Sequence, residues 1–458
     1  MYKKSDQLIV PDNREGADMG VAFKYKHHHT RGEEMMENQY LKIAEYAEKG
    51  IRVQNLMAFL NKDGLIQKHR NQSVKKASGV DGVSKLTYGA NLNDNIDSLL
   101  ARMKSFSYKP LPVRRVYIPK VGSAKLRPLG IPAYEDKLVQ GVMADILTAI
   151  YEPKFLDMSY GFRPKRDGFQ AVFALDNIIM RDSVNYVVDA DIKGFFDNVN
   201  HDWLIKFLEH DIDDQRFIRY IKRFLKSGIM EEGKYLDSDK GTPQGGLISP
   251  ILANVYLHYV LDLWFEKVIK KQFHHATIVR YADDFVCCFQ LEHEARKYLA
   301  MLKERMETFG LELAEDKTKI IPFGRFQRKS KETFDFLGFT HLNGVTRKGK
   351  YKLVHITSAK KLKAKRQTVK EWLKLNMHKK PSDIIAKLNV KLEGHYRYYG
   401  ISDNNQRMDQ FRLYCQKQLY HVLNRRSQGH LTWEAFEKIL KYNPIVRPKI
   451  YHSTWQGK

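Results

Sequence analysis

The chain has 458 residues, with 78 Lys and Arg against 53 Asp and Glu, which gives a formal net charge of +25. This length allows two or three domains with hydrophobic cores, and the excess of positive charge favours a polyanionic partner. Three cysteines are too few for a disulfide framework or a zinc site, and no apolar run reaches the ~18 residues of a membrane span, so we expect a cytoplasmic protein.

Apolar spacing predicts most of the elements, which begin after the polar and irregular residues 1–34. The predicted helices cover Met35 to about Leu60 with a break at Gly50, Thr87–Met103, Lys137–Ile150, Asp202–Leu208, Gln215–Ser227, Ser249–Val268 and Glu292–Phe309. A strand hairpin is predicted from Arg114–Ile118 and Arg127–Ile131, around Gly122. Antiparallel strands with segregated helices predict an α+β fold.

Three aspartates stand at the ends of strand-like apolar runs. Asp191 closes the run that begins at Tyr186, while Asp283 and Asp284 lie between the runs Thr277–Arg280 and Phe285–Phe289, at the predicted tip of a hairpin. Carboxylates at such positions are costly to desolvate unless they neutralise a cation. Their hard oxygen atoms suit Mg²⁺ beside substrate phosphates, which indicates two-metal phosphoryl transfer. A bare Asp-Asp pair is also typical of a solvated turn.

A series of motifs accompanies these aspartates in a fixed order. They are Ser78–Val83, Arg114–Lys120 with Lys125–Pro132, Tyr160–Pro164, Asp191–Asp202, Gly241–Gly246 with Ser249-Pro250 and Leu252–Asn254, Tyr281–Asp284, Leu311–Leu313 with Lys317–Lys319, and Phe336–Phe339. In this order the motifs resemble the reverse transcriptases encoded by bacterial group II introns, the intron-encoded maturases.

This resemblance implies a right-hand polymerase with fingers, a palm built on an antiparallel sheet with helices, and a helical thumb, also called domain X. The expected divisions are a partly helical N-terminal extension (1–77), an N-terminal motif with the fingers (78–188), the palm with the catalytic motifs (189–340) and a basic thumb (341–458). We expect a form without the endonuclease domain, because the chain ends soon after Tyr451 and has no cysteine beyond Cys415.

The resemblance also implies roles for the acidic residues. Asp191, Asp283 and Asp284 are the expected catalytic residues and ligands of two Mg²⁺ ions, with Mn²⁺ as an alternative ion. Asp284 is the less direct ligand of the three, because neighbouring strand residues point to opposite faces. Asp189, which shares the strand face of Asp191, is expected to be structural or to act from outside the ligand set.

Nucleotide-binding residues follow from the same motifs. Lys120 and Arg127 match the pair that binds the triphosphate, Phe196 matches the aromatic ring that excludes a ribose 2′-OH, and Gln244 matches the residue that contacts the nascent base pair. Gly245, next to Gln244, is expected to let the backbone approach the nucleotide closely. Either Lys317 or Lys319 is expected to act as a general acid toward pyrophosphate, and the sequence does not choose between them.

The last quarter of the chain carries most of the excess charge, with 26 Lys and Arg against 7 Asp and Glu from residue 341 onward. Such an imbalance indicates a polyanionic partner, and the resemblance implies that this partner is RNA. The candidate RNA-binding residues are Lys360, Lys361, Lys363, Lys365, Arg366 and Arg397. The run Leu392–Gly400 interleaves tyrosines with cations, and its tyrosines are either RNA contacts or ordinary core residues.

Three functions compete at this stage. The first is an RNA-directed DNA polymerase that is also the maturase of its group II intron, with RNA template, DNA or RNA primer, dNTPs and intron RNA as partners. The second is a host-adopted reverse transcriptase in defence or DNA repair, and the third is a non-enzymatic splicing factor. The complete set of acids disfavours the third. We expect a bacterial cytoplasmic monomer or homodimer without membrane contact.

Overall fold

The computed structural model describes residues 31–119, 126–243, 245–426 and 429–453. These residues form two compact units, one ending at Gln327 and the other beginning at Arg328. The boundary between the units therefore precedes the Phe336–Phe339 motif, which the sequence analysis assigned to the palm. The assignment of the units to fingers, palm and thumb stays a prediction.

The first unit combines helices with two sheets. Its helices are α1 Arg31–Glu48, α2 Lys62–Asn71, α3 Lys85–Gly89, α4 Leu92–Lys104, α5 Tyr134–Tyr151, α6 Gly168–Arg181, α7 Phe195–Asn198, α8 His201–Asp211, α9 Gln215–Leu225, α10 Ser249–Leu257, α11 Lys270–Gln272 and α12 Glu292–Thr308. Its strands are β1 Val113–Pro119, β2 Leu126–Ile131, β3 Tyr186–Asp191, β4 Ile229–Glu231, β5 Lys234–Leu236, β6 Ala276–Tyr281, β7 Asp284–Phe289 and β8 Lys319–Pro322.

A four-stranded sheet in the order β6-β7-β3-β8 forms the centre of this unit. All of its strand pairs are antiparallel, and helices α6 and α12 pack against it. Apolar side chains of β3 and β7, among them Val188 and Phe285, are fully buried. The predicted hairpin with Asp283 and Asp284 at its tip is confirmed, and so is the α+β class.

The second sheet of this unit has the order β2-β1-β4-β5. Its β1–β2 pair is the hairpin that the sequence predicts, with Ile118 opposite Arg127. A short hairpin of β4 and β5 adds to the free edge of β1 through parallel pairing, in which Val113 lies opposite Ile229. These two strands were not predicted from the sequence, because three residues each are too few to show a periodic pattern.

The predicted helices differ from the observed ones mainly in their ends, except that the predicted helix Thr87–Met103 is divided into α3 and α4. Helix α1 ends at Glu48, and Gly50 follows in a left-handed conformation (φ +68°), so the predicted continuation to Leu60 is wrong apart from a single 3₁₀ turn at Leu56–Phe59. The observed helix that begins at Ser249 extends beyond the predicted end at Val268. It runs from α10 through two π-helical stretches to α11.

The second unit places four helices beside a three-stranded antiparallel sheet in the order β11-β10-β9. Its strands are β9 Thr333–Phe336, β10 Phe339–Val345 and β11 Tyr351–Thr357, and its helices are α13 Ala359–Leu375, α14 Pro381–Tyr399, α15 Asn405–Asn424 and α16 Trp433–Tyr442. None of the helices in the described part of the chain is both long enough and apolar enough to span a membrane.

This unit buries a histidine that has no polar partner. The His395 side chain is 1% exposed and lies between the rings of Tyr399 and Phe411, whose centroids are 4.7 and 4.5 Å away. Neither of its ring nitrogens makes a hydrogen bond within the described residues. Burial, with a smaller contribution from Lys365, lowers the pKa of His395 to about 3. The imidazole is therefore neutral in the folded protein at neutral pH.

Acid should destabilise the second unit through this residue. The pKa of His395 in the folded protein lies below the ordinary value of 6.5. Its contribution to the unfolding free energy is therefore fully present above pH 6.5 and is lost as the pH falls toward 3. At pH 5 the neutral histidine should cost about 2 kcal/mol of unfolding free energy relative to pH 7. In urea unfolding at both pH values, His395→Phe should lose less stability than the wild type. The exposed His378→Phe serves as the control, and equal losses for all three proteins would contradict the assignment.

Candidate active site

Three aspartates lie together at one end of the central sheet. Asp191 is the last residue of β3 and Asp284 is the first residue of β7, and the register places them directly opposite each other. Residues that are directly opposite in an antiparallel pair project their side chains from the same face of the sheet. Asp283 occupies the two-residue turn between β6 and β7. All three side chains are half-buried, so they reach solvent.

The register gives Asp284 a more central place than the sequence suggested. Strand alternation led us to expect Asp191 and Asp283 as the main pair, with Asp284 pointing away. The turn interrupts that alternation, because Asp283 lies outside the strand while Asp284 pairs with both Tyr281 and Asp191. Asp189, two residues before Asp191, lies opposite Val286 and Lys319.

Lys317 contacts the site directly. Its ammonium group forms an ion pair with Asp191 Oδ2, and the Asp191 side chain is 38% exposed. The hydrogen bond to Asp191 raises the pKa of Lys317, and the charges of Asp316 and Asp283 act in the same direction. Lys319 is exposed on the edge strand β8, opposite Asp189. Of the two lysines that the sequence left open, Lys317 is the one that contacts Asp191.

Phe196 lies on the short helix α7, five residues after the end of β3 at Asp191. Its neighbour Phe195 is buried in the core, as the sequence analysis expected, while Phe196 is half-buried with its ring 5.4 Å from that of Phe195. The Thr242 backbone N–H donates to the Phe196 carbonyl at 2.7 Å. A Cβ atom at Gly241 (φ +87°) would lie 2.9 Å from that same carbonyl oxygen. The loop at Gly241 therefore closes against Phe196.

The continuation of this loop contacts the hairpin that carries Arg127. Gly245 has φ +118°, and a Cβ atom there would lie 2.4 Å from the carbonyl oxygen of Gly130 in β2. Half-buried Arg127 lies on the same strand, three residues earlier. The sequence analysis explained Gly245 by the approach of a nucleotide, whereas here the backbone of β2 fills that space. Lys120 and Gln244 lie outside the described residues.

The acids suit a hard cation by their chemistry. Among the described residues no group of three or more His, Cys, Asp or Glu side chains is arranged as a complete metal site. Carboxylate oxygens are nevertheless the ligands that Mg²⁺ prefers in proteins. A positive group, the Lys317 ammonium, already lies against Asp191. The three carboxylates therefore suit Mg²⁺ or Mn²⁺ once the Lys317 ammonium leaves the Asp191 oxygen that it contacts.

Comparison with known proteins agrees with this arrangement. Residues 118–341 match the family described as reverse transcriptase (RNA-dependent DNA polymerase). Protein YkfC of Escherichia coli K12 is 31% identical over 354 residues, which cover 68% of this chain and 90% of YkfC. The group II intron-encoded protein LtrA of Lactococcus lactis is 35% identical over 318 residues, 68% of this chain and 49% of LtrA. The chain belongs to the family of group II intron-encoded reverse transcriptases.

Its coverage of these relatives is uneven. The chain spans about half the length of LtrA but nearly the whole length of YkfC. A more distant relative is the nuclear intron maturase 2 of Arabidopsis thaliana, which is 27% identical over 179 residues, 30% of this chain and 24% of that protein.

The candidate RNA-binding residues of α13 do not share one face of the helix. Lys360 and Lys363 are exposed, whereas Lys361, Lys365 and Arg366 are half-buried. The Arg366 guanidinium lies over the ring of Tyr414, 5.2 Å from its centroid.

The run Leu392–Gly400 on α14 contains both exposed and core residues. Arg397 is exposed, while Tyr396 and Tyr399 are buried in the core. Tyr398 is half-buried and donates a hydrogen bond to the Leu337 carbonyl at 2.9 Å. Core packing therefore accounts for Tyr396 and Tyr399, one of the two alternatives that the sequence left open.

Sequence reasoning did not identify the residues that hold the turn before Asp283. The turn residue Ala282 has φ +58°, and its backbone is contacted by Arg280 and by Gly161. Gly161 and Asn254 appear in the sequence only as parts of motifs, and no role was predicted for Arg280. The sequence did contain one indication of this role, because Arg280 ends an apolar strand. A guanidinium buried at such a position requires several hydrogen-bond acceptors nearby.

Proposed function

We propose that this chain is an RNA-directed DNA polymerase that extends a DNA or RNA primer along an RNA template. In this reaction the primer 3′-oxygen forms a bond to the α-phosphorus of a dNTP, and the bond from that phosphorus to the bridging oxygen of pyrophosphate breaks. The main support is the register that sets Asp191 opposite Asp284 beside the Asp283 turn, in a family of reverse transcriptases.

Asp191, Asp283 and Asp284 would hold two Mg²⁺ ions, or Mn²⁺ in their place. Such ions, when bound, lower the pKa of the primer hydroxyl and stabilise the charge that develops on the phosphoryl and leaving oxygens. Lys317 would serve as the general acid toward pyrophosphate. Its ammonium group contacts Asp191 in this structure, so a proton donor already lies beside the acids.

The nucleotide would lie beside the β1–β2 hairpin, near the point where the Gly241–Gly246 loop meets β2. Arg127 would bind the triphosphate through its planar fork, and Phe196, whose carbonyl contacts the loop at Gly241, would contact the sugar. Lys120 would also bind the triphosphate and Gln244 would contact the nascent base pair; only their sequence motifs support these two roles. Gly245 would contribute to binding by holding the loop against β2, since the Gly130 carbonyl fills the space beside it.

The second unit would bind RNA through its excess of cations. Residues from 341 onward hold 26 Lys and Arg against 7 Asp and Glu, and phosphate neutralisation provides most of the affinity in such contacts. Exposed Lys360, Lys363 and Arg397 are the best placed of the candidates, with Lys361, Lys365 and Arg366 in support. Because LtrA is encoded by a group II intron, we extend the proposal to a maturase that binds its intron RNA.

Removal of one carboxylate should stop synthesis without affecting RNA binding. Asp283→Ala should slow extension of a primer on an RNA template by more than about 100-fold, because even outer partners of a metal site contribute 10–100-fold. Its RNA affinity should stay unchanged, since the acids act on cations and not on the template. Asp157→Ala, which removes a carboxylate that is 95% exposed, is the control. Extension by Asp283→Ala at the control rate would refute the proposed site.

Sugar selection should depend on Phe196. Phe196→Ala should raise the kcat/KM for a ribonucleotide relative to the matching deoxynucleotide at least about 10-fold, because the ring no longer excludes the 2′-OH. Phe195→Leu alters the adjacent buried ring and should leave that ratio unchanged. Single-nucleotide incorporation kinetics measure both variants. An unchanged ratio in Phe196→Ala would make Phe196 a core residue without a role in selection.

A further inference from the structure

A buried ion pair lies directly beside the turn that carries the catalytic acids. Arg280, the residue before Tyr281, donates from Nε to Asp262 Oδ1 at 2.7 Å and from Nη2 to Asp262 Oδ2 at 2.5 Å. Both side chains are completely buried. Such a pair contributes little net stability, because desolvation of the two charges offsets their attraction. Its presence therefore suggests a role other than stability.

The remaining hydrogen bonds of Arg280 reach the turn itself. Its Nη1 donates to the carbonyl oxygen of Ala282 at 2.9 Å and to Asn254 Oδ1 at 3.1 Å. The guanidinium thus uses four of its five N–H groups on three partners. Ala282 holds φ +58°, a left-handed conformation that is unfavourable for a residue with a Cβ atom. The hydrogen bond from Arg280 to the Ala282 carbonyl favours this left-handed conformation over the right-handed or extended ones.

A neighbouring segment closes the other side of the turn. Asn254 Nδ2 donates to the Gly161 carbonyl at 2.7 Å. A Cβ atom on Gly161 would lie 2.3 Å from the Ala282 nitrogen, so only a glycine allows this approach. The Tyr160 N–H donates to the Arg280 carbonyl at 2.8 Å. The Ala282 oxygen therefore accepts a hydrogen bond from Arg280, while Gly161 lies close against the Ala282 nitrogen.

We propose that Arg280 is a positioning residue for the polymerase reaction, which fixes the backbone at Ala282 so that Asp283 and Asp284 face Asp191. This inference rests on the proposed function. Asp262 orients the guanidinium, and Asn254 links it to the Gly161 segment. The planar fork is essential, because an ammonium group cannot bond Asp262 at both oxygens while also reaching Asn254 and Ala282.

Arg280→Lys tests the role, since it keeps the charge beside Asp262 and removes the fork. In the full chain, kcat for primer extension should fall about 10–100-fold, while KM for the dNTP should stay within about threefold. Mn²⁺ binding followed by electron paramagnetic resonance, without primer or dNTP, should weaken about 10-fold or more. The binding measurement does not depend on activity. Asn254→Ala should show the same pattern and decides the question if Arg280→Lys does not fold.

Asp211→Asn is the control for simple loss of stability. Asp211 is 3% exposed, pairs with Lys154 at 2.5 Å and accepts a hydrogen bond from Tyr259, so it belongs to a buried pair with no bond to the turn. The control should lower the melting temperature and leave kcat and Mn²⁺ affinity unchanged. If Arg280→Lys and Asn254→Ala match the control, the inference is wrong. If the wild type itself fails to extend primers, the proposed function fails, and Mn²⁺ affinity alone then decides whether Arg280 positions the acids.

Discussion

The register between β3 and β7 is the constraint on which the site depends. It places Asp191 opposite Asp284, and a slip of one residue would move one of these carboxylates to the other face of the sheet. Fully buried residues on both strands, such as Val188 and Cys287, which lie opposite each other, oppose such a slip. The apolar core of the sheet therefore determines where the polar chemistry can take place.

Close backbone contacts connect the other motifs to this sheet. Gly161 meets the turn at Ala282, Gly241 meets the Phe196 carbonyl, and Gly245 meets the Gly130 carbonyl on the hairpin that carries Arg127. In each case a side chain would separate the two backbones. Motifs that are distant along the chain thus form one site through direct contact. The proposed nucleotide position depends on these contacts as much as on the charged residues.

The sequence predicted the local patterns well and the long-range contacts poorly. The β1–β2 and β6–β7 hairpins follow from alternating apolar runs around short turns, and α5 follows from its apolar spacing. The hydrogen bond of Arg280 to the turn and the contact of Lys317 with Asp191 were not predictable. Both depend on how distant segments pack, which residue spacing does not encode. Gly245 was noted for its lack of a side chain, but its neighbour Gly130 is 115 positions earlier and only the fold brings it close.

Anomalous scattering from crystals grown with Mn²⁺, a primer–template and an unreactive dNTP analogue would show directly whether the three aspartates bind the metal ions. We predict Mn²⁺ peaks within ligand distance of Asp191, Asp283 and Asp284, beside the triphosphate. We also expect the Lys317 ammonium to leave the Asp191 oxygen that it contacts in this structure. Peaks at other side chains, or an Asp191 that keeps its ion pair with Lys317 while the dNTP analogue is bound, would contradict the proposed metal site.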